Sequence, residues 1–317
     1  MAPEHRMGAD GRAAEACSVR AARWHEESSR LQALRHEVFV LEQGVPVDIE
    51  QDGRDGEAAH VIAELDGEAV GCGRLLVDGR IGRLAVRRGF RRLGIGRLLL
   101  DELIRLARRR GERQLYLHAQ EDAADFYRRA GFDAEGERFE EAGIAHIAMH
   151  RHLDYREWND TVLGLRYPSP ADELVIAQAR LARRELAILS PQLDHQLFDR
   201  RELISACKLF ARNERRARVR VLVMDTLPLV RRGHGLLNLA RRLPSKLELR
   251  CLPEHPDWDG DTLVLRDRDS VLAIPAATRD PGFYRPADRA RCQTALGRFE
   301  DLWNAGSVDP EFRALSL

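Results

Sequence analysis

The stretch Ile81-Gly-Arg-Leu-Ala-Val-Arg-Arg-Gly-Phe-Arg-Arg-Leu-Gly-Ile-Gly-Arg-Leu-Leu-Leu100 constrains this chain more than any other. An apolar segment, Ile81–Val86, runs into a turn of arginine and glycine. The turn opens an amphipathic helix over Gly94–Arg110, with Leu98, Leu99, Ile104 and Leu106 at roughly helical spacing and Gly111 as its stop. The first turn of such a helix carries N–H groups without partners and a partial positive charge. Gly94 and Gly96 have no Cβ, so an anion can approach the backbone, and Arg91, Arg92 and Arg97 add charge. The spacing is neither the dinucleotide fingerprint G-x-G-x-x-G nor a P-loop, which needs Lys-Ser/Thr. On its own the turn is either a diphosphate cradle or an ordinary bend ahead of a surface helix.

The flanking pattern places this unit in an α/β (α+β) domain with a central mixed sheet. His60–Leu65 and Ala69–Val77 read as a hairpin about Asp66-Gly67, and Gln114–His118 as a strand. Ala123–Ala130 is a short helix closed by Gly131, and Ile144–His150 a last strand. Asp154–Pro170 contains Tyr167-Pro-Ser-Pro170, which cannot continue a helix, and is expected to be a linker. The pattern then restarts. Helices are expected over Asp172–Arg184, Phe198–Arg212, His234–Leu243 and Ala287–Ala305. Strands are expected at Leu186–Ser190, Val219–Met224, Leu247–Leu252, Thr262–Leu265 and Ser270–Ile274. A length of 317 residues suits two domains. The expected division is a loose tail over 1–18, a first domain over 19–153, a linker over 154–170 and a second α/β domain over 171–317.

Composition narrows the function classes. Hydrophobic residues at 44% suffice for packed cores and exclude a largely disordered chain. The 51 basic and 51 acidic residues cancel, so a nucleic-acid partner is not expected. Only Lys208 and Lys246 are lysines, so the N-terminal half has no lysine to act as nucleophile or base. The five cysteines are odd in number and scattered, with no CxxC. That argues against a disulfide framework or a metal site and for a reducing, cytoplasmic setting. No apolar run approaches the ~18 residues of a membrane span, and residues 1–18 lack the apolar core of a signal peptide.

Several spaced motifs in order carry a resemblance. Arg91-Arg92-Leu93-Gly94-Ile95-Gly96 resembles motif A, (Q/R)xxGx(G/A), of the GNAT superfamily of acyl-CoA-dependent N-acyltransferases. Leu84-Ala85-Val86 sits where the family's fourth strand bulges and frees backbone groups for the pantetheine arm. Gln120-Glu-Asp-Ala-Ala-Asp-Phe-Tyr-Arg-Arg-Ala-Gly-Phe132 resembles NxxAxxFYxxxGF, with Gln120 in place of the usual Asn. Arg35–Pro46, then Glu50, Asp52, Asp55 and His60, and also Ala142–His146, are similar to the small bacterial ElaA-like branch. The resemblance covers about residues 19–153. It implies acetyl-CoA as acyl donor, held by Leu84, Ala85, Val86, by Arg91 to Arg97 (Leu93, Gly94, Ile95 and Gly96 among them) and by Gln120, with no metal.

The resemblance assigns Tyr127 as general acid for the leaving thiolate; plain packing is the other role open to it. A backbone N–H near Val86 would polarise the carbonyl. The usual carboxylate of the fourth strand is missing, since that strand carries Arg83. The base is then Glu42, Glu50 or His60, or a water held by them. His118 and Gln120 share one strand face; Gln120 can bond the donor, and His118 lines the site or packs. Glu42, Glu50, Asp52, Asp55 and Glu57 form either an acidic rim for a cationic amine acceptor, small molecule or protein, or a solvated loop. A homodimer is allowed.

The second half resembles one half of a phospholipase D-type α/β domain. With Asp267 in place of that family's HxKxxxxD aspartate, Gly260 and Thr262 replace its His and Lys, so the module reads as catalytically dead. Arg200–Arg220 holds eight basic and two acidic residues, either a phosphate-contacting face or a solvated helix surface. The alternative to an enzyme is a non-catalytic acyl-CoA sensor whose second domain binds a phosphate-rich partner.

Overall fold

The computed structural model describes residues 17–156, 158–276 and 281–312. Of the expected tail, residues 1–16 lie outside the described residues, and Ser18 already belongs to a strand. The chain forms two compact units, the second taking over at Asp154.

In the first unit, β1 (Ser18–Ala22), β2 (Ala59–Leu65), β3 (Glu68–Leu75) and β4 (Ile81–Val86) form an antiparallel sheet in sequence order. Asp66 and Gly67, at φ +51° and +82°, make the tight turn between β2 and β3 that the Asp-Gly pair predicts. β5 (Gln114–Gln120), β6 (Asp133–Glu141) and β7 (Ile144–His152) form a second sheet in the order β5-β7-β6. A single parallel bridge, Arg80 to Tyr116, joins β4's side to β5. Beyond it the two strands part and leave facing edges without a ladder. β6 was not expected, because Asp133-Ala-Glu-Gly-Glu-Arg-Phe-Glu-Glu141 carries no apolar alternation and is almost wholly exposed.

The helix Ile95–Arg109 buries Ile95, Leu99, Leu100, Leu103, Ile104 and Ala107, one stripe at the predicted period. Its seat on β3 is set by two glycines: a Cβ on Gly71 or Gly73 would stand 2.8 Å from the Leu99 or Leu103 Cδ1. On the other side, the helix Trp24–Arg35 packs Leu31 and Leu34 on Ile62, Cys72 and Ala85. It runs on as a π-helix, His36–Glu42, a geometry frequently found beside functional sites.

In the second unit, β8 (Val162–Leu165), β9 (Glu185–Leu189), β10 (Arg218–Val223), β11 (Leu247–Cys251), β12 (Thr262–Arg266), β13 (Ser270–Ile274) and β14 (Gly282–Arg285) make one sheet. Their order is β11-β10-β9-β12-β13-β14-β8, parallel among β9, β10 and β11 and antiparallel beyond. The unit is α/β, with helices Ala171–Leu181, Arg201–Asn213, Gly235–Arg242 and Arg289–Ala305. β8 falls inside the stretch expected as a linker; four residues on an edge are too few to show a period. The core holds Leu189, Leu222, Trp258, Leu263, Phe299 and Trp303. Arg220 is buried over the rings of Phe299 and Trp303, at 4.9 and 5.3 Å, and pairs with Glu185 and Glu300.

Candidate active site

β4 does not run straight. Cys72 pairs with Ala85 and Arg74 with Gly82, so three steps on β4 match two on β3. This is a β-bulge, and Arg83 takes the extra residue at φ +52°. Leu84, Ala85 and Val86 follow it on the edge that faces the split from β5. The turn beyond holds Arg92 at φ +65° and Gly94 at φ +82°. The helix then begins at Ile95, so its first N–H groups, including those of Ile95 and Gly96, point out of the helix start. A Cβ on Gly96 would meet the Phe126 ring at 3.7 Å, an ordinary contact. Leu84–Val86 and Arg91–Arg97, expected to hold the acyl donor, thus follow one edge and one helix start, and Gln120, expected to hold it too, stands at the end of β5.

Arg91 and Arg97 are engaged within the protein. Arg91 gives two hydrogen bonds to Glu42, at 2.6 and 2.8 Å, and its Nε donates to the Val86 carbonyl at 2.9 Å. Arg97 pairs with Asp101 at 2.8 Å and donates to the Arg129 carbonyl. Arg92 is exposed and has no such partner among the described residues.

A cavity of about 180 Å³ lies beside the bulge. Tyr127, Gln120, His118 and Glu141 all line it, together with Leu84 of β4. Tyr127 comes from the helix Ala124–Arg129, its ring edge-on to Phe126 and Phe132. Burial pushes its phenol up to about 12, so it stays protonated at any ordinary pH. Its hydroxyl has no hydrogen-bond partner among the described residues. Gln120 Nε2 donates to Gln43 Oε1 at 3.0 Å.

His118 and Glu141 form a pair that the sequence does not show. On β5, Leu115, Leu117 and Ala119 face the core, which turns Tyr116, His118 and Gln120 the other way. His118 Nδ1 lies 2.9 Å from Glu141 Oε2 and 3.0 Å from the Arg80 guanidinium. Arg80 stands 3.8 Å from Glu141. Burial would raise the Glu141 carboxyl, but the His118 bond and the charges of His118 and Arg80 hold it below its ordinary value. Nδ1 thus meets both an acceptor, Glu141, and a donor, Arg80. In the tautomer that carries its proton on Nδ1 toward Glu141, Nε2 holds a lone pair, and Nε2 makes no hydrogen bond among the described residues.

The three expected base candidates sit differently. His60 is 2% exposed, stacks on Trp24 at 4.9 Å, contacts the Asp55 carbonyl through Nε2 and is not in the cavity wall. Glu50 does reach the wall, but its carboxylate is paired with Arg35. Glu42 is held by Arg91, which keeps its carboxyl below the usual range. The acidic loop is equally committed. Arg35, 1% exposed, bonds Asp55 at 2.7 and 3.0 Å. Arg74 bonds Asp55 at 2.8 Å and Asp52 at 2.6 Å, and Arg83 reaches Asp52 at 3.2 Å. Of the five acids that read as a rim or a solvated loop, Glu42, Glu50, Asp52 and Asp55 are therefore tied to arginines in an ion-pair network, while Glu57 is exposed and forms no ion pair among the described residues.

Residues 22–153 match the family model of the acetyltransferase (GNAT) domain. Over 121 residues the chain is 36% identical to the uncharacterized N-acetyltransferase YjcF of Bacillus subtilis, covering 37% of this chain and 86% of that protein. This chain belongs to the GNAT acetyltransferases. The GNAT match also includes ElaA of Escherichia coli, 32% identical over 128 residues, or 38% of this chain and 84% of that protein. A solved acyl-CoA N-acyltransferase from Pseudomonas aeruginosa is 32% identical and covers 43% of this chain and 99% of that one, with a TM-score of 0.39. As a GNAT enzyme the protein is an acyl-CoA-dependent acetyltransferase. Residues 167–315 match a different family, a domain of unknown function, DUF7931. No helix among the described residues is long and apolar enough to cross a membrane.

Proposed function

We propose that the protein transfers an acetyl group from acetyl-CoA to a primary amine in the cavity beside the β4 bulge. The observation that carries this is the convergence of Tyr127, His118 with Glu141, and Leu84, the residue after the bulge, on one space. The amine nitrogen attacks the thioester carbonyl and the carbon–sulfur bond breaks. His118 Nε2 takes the proton released by the amine, with Glu141 orienting the ring and balancing its charge. Tyr127 gives its proton to the departing sulfur. Backbone N–H groups along Leu84–Val86 and at the helix start, with Arg92, hold the donor. The edge that has no ladder to β5 and the exposed turn at Gly94, held at φ +82°, fit such a ligand.

His118→Gln tests the base. Turnover should fall by roughly 10²-fold or more, the scale of general-base catalysis, while calorimetry shows unchanged acetyl-CoA affinity. The loss should shrink at high pH, where the amine sheds its proton to solvent. A variant that keeps wild-type turnover at neutral pH would refute the assignment. Screening amines with acetyl-CoA, with thiol release and product mass as readouts, identifies the acceptor.

For the second unit we propose a catalytically silent phospholipase D-like module over 171–317. Its support is the run of three parallel strands followed by the β12–β13 hairpin, with Gly260 and Thr262 where a nucleophile and cation would be needed. A cytoplasmic setting is part of the same reading, supported by five cysteines that are all free thiols.

A further inference from the structure

The second unit has a groove of about 1070 Å³ on the side where β9 and β10 begin. One wall is the helix Arg289–Ala305, which contributes Arg289, Gln293, Leu296, Gly297 and Glu300. The eleven steps from Arg289 to Glu300 along that helix give the groove a length of about 16 Å. The other wall is the β12–β13 turn and the chain leading into β9 and β10.

Six arginines line it: Arg183, Arg184, Arg216, Arg218, Arg268 and Arg289. Four carboxylates line it too, and each is already engaged. Glu185 and Glu300 both bind the buried Arg220 behind the wall. Asp269 pairs with Arg266 at 3.2 Å. Asp267, at φ +54°, accepts the backbone N–H groups of Arg183, Arg184 and Glu185 at 2.7 to 3.2 Å. That grip fixes the chain that presents Arg183 and Arg184. Of the six arginines only Arg183 makes an ion pair within 4 Å among the described residues, with Glu214 at 3.4 Å, while Arg218 and Arg268 act on Glu300 at longer range. Arg184, Arg216, Arg218, Arg268 and Arg289 are exposed and form no direct ion pair among the described residues.

We infer that this groove binds an oligophosphate: a small anion carrying a chain of phosphates, free or on a nucleotide. Guanidinium forks spread along an elongated wall match successive phosphate groups. The volume is near the upper end of small-ligand sites. No aromatic residue lines the groove, so a base has no platform to stack on and the phosphate chain supplies the recognition. Neither the acetyltransferase chemistry nor the Gly260–Thr262 end of β12 uses these residues.

The test is calorimetry on the full chain with inorganic tripolyphosphate and, separately, ATP. One site should appear at low salt and weaken steeply as salt rises. The triple variant R184Q/R218Q/R268Q should lose roughly tenfold or more in affinity. Its melting temperature should stay at the wild-type value, since all three side chains are exposed. Equal affinity for both probes identifies the phosphate chain alone as the ligand, and tighter ATP a nucleotide; both support the site. Absence of binding at low salt overturns the inference, as does wild-type affinity in the folded triple variant. Binding of an oligonucleotide that tripolyphosphate fails to displace overturns it as well.

Discussion

Tyr127 carries a proton it cannot lose at ordinary pH, because burial has pushed its phenol up to about 12. Tyr127→Phe keeps the ring contacts with Phe126 and Phe132 and removes only that proton. Acetyl-CoA affinity should hold while kcat drops by roughly 10²-fold; stopped-flow thiol release measures it, and unchanged turnover would reduce the tyrosine to packing. A second residue prediction concerns Asp55. Burial alone would raise its carboxyl, but hydrogen bonds from Arg35 and Arg74 hold it below the ordinary value. A lowered folded-state pKa means that its stabilisation is complete above the unfolded value of about 3.9 and is lost as pH falls through the folded one. Urea titrations from pH 7 down should therefore show stability declining below about pH 4. Asp55→Ala should cost about 3–5 kcal/mol at pH 7, because it strips two buried guanidinium groups of a partner, and should flatten that acid limb.

At the scale of elements, the proposed binding of acetyl-CoA rests on the β4–turn–helix unit. Gly94 sits at φ +82°, where any side chain is strained. Gly94→Ala should cost about 1 kcal/mol of stability and weaken acetyl-CoA modestly. Gly94→Asp adds a negative charge at the helix start and should abolish binding; calorimetry on the folded variants separates the two effects. This unit was legible in the sequence because an apolar run, a glycine turn and a 3.6-residue stripe each leave a mark. So were Tyr127 and Gln120, through their motif. The bulge was expected only through family resemblance, since nothing in Gly82-Arg83-Leu84 signals a residue at positive φ. Glu141 was out of reach for a different reason. It ends β6, a strand with almost no buried face, so no periodicity placed it opposite His118, 23 positions away in the chain. The edge strand β8 and its neighbour β14 were hidden by their length of four residues. The carboxylates were visible as letters, but their arginine partners lie 15 to 49 positions away, and composition alone left them as a rim or a solvated loop.

Over the whole molecule, each unit has its own core, one around Leu31, Ile62 and Cys72 and one around Leu222, Phe299 and Trp303. Phe299→Ala should remove about 3–5 kcal/mol from the second unit and uncover Arg220. Limited proteolysis read by mass spectrometry should then find new cuts concentrated after Asp154, with acetyl-CoA binding retained; cuts spread evenly along the chain would show one shared core. The arginine–carboxylate pairing of the first unit has a kinetic consequence. Glu42, Glu50, Asp52 and Asp55 meet Arg91, Arg35, Arg74 and Arg83 within the protein, so their field largely cancels a few ångströms beyond the cavity mouth. A charged acceptor approaching from bulk water then feels little long-range pull. Its capture rate should stay nearly flat as ionic strength rises, and the choice among amines falls to the shape and hydrogen bonds met after arrival.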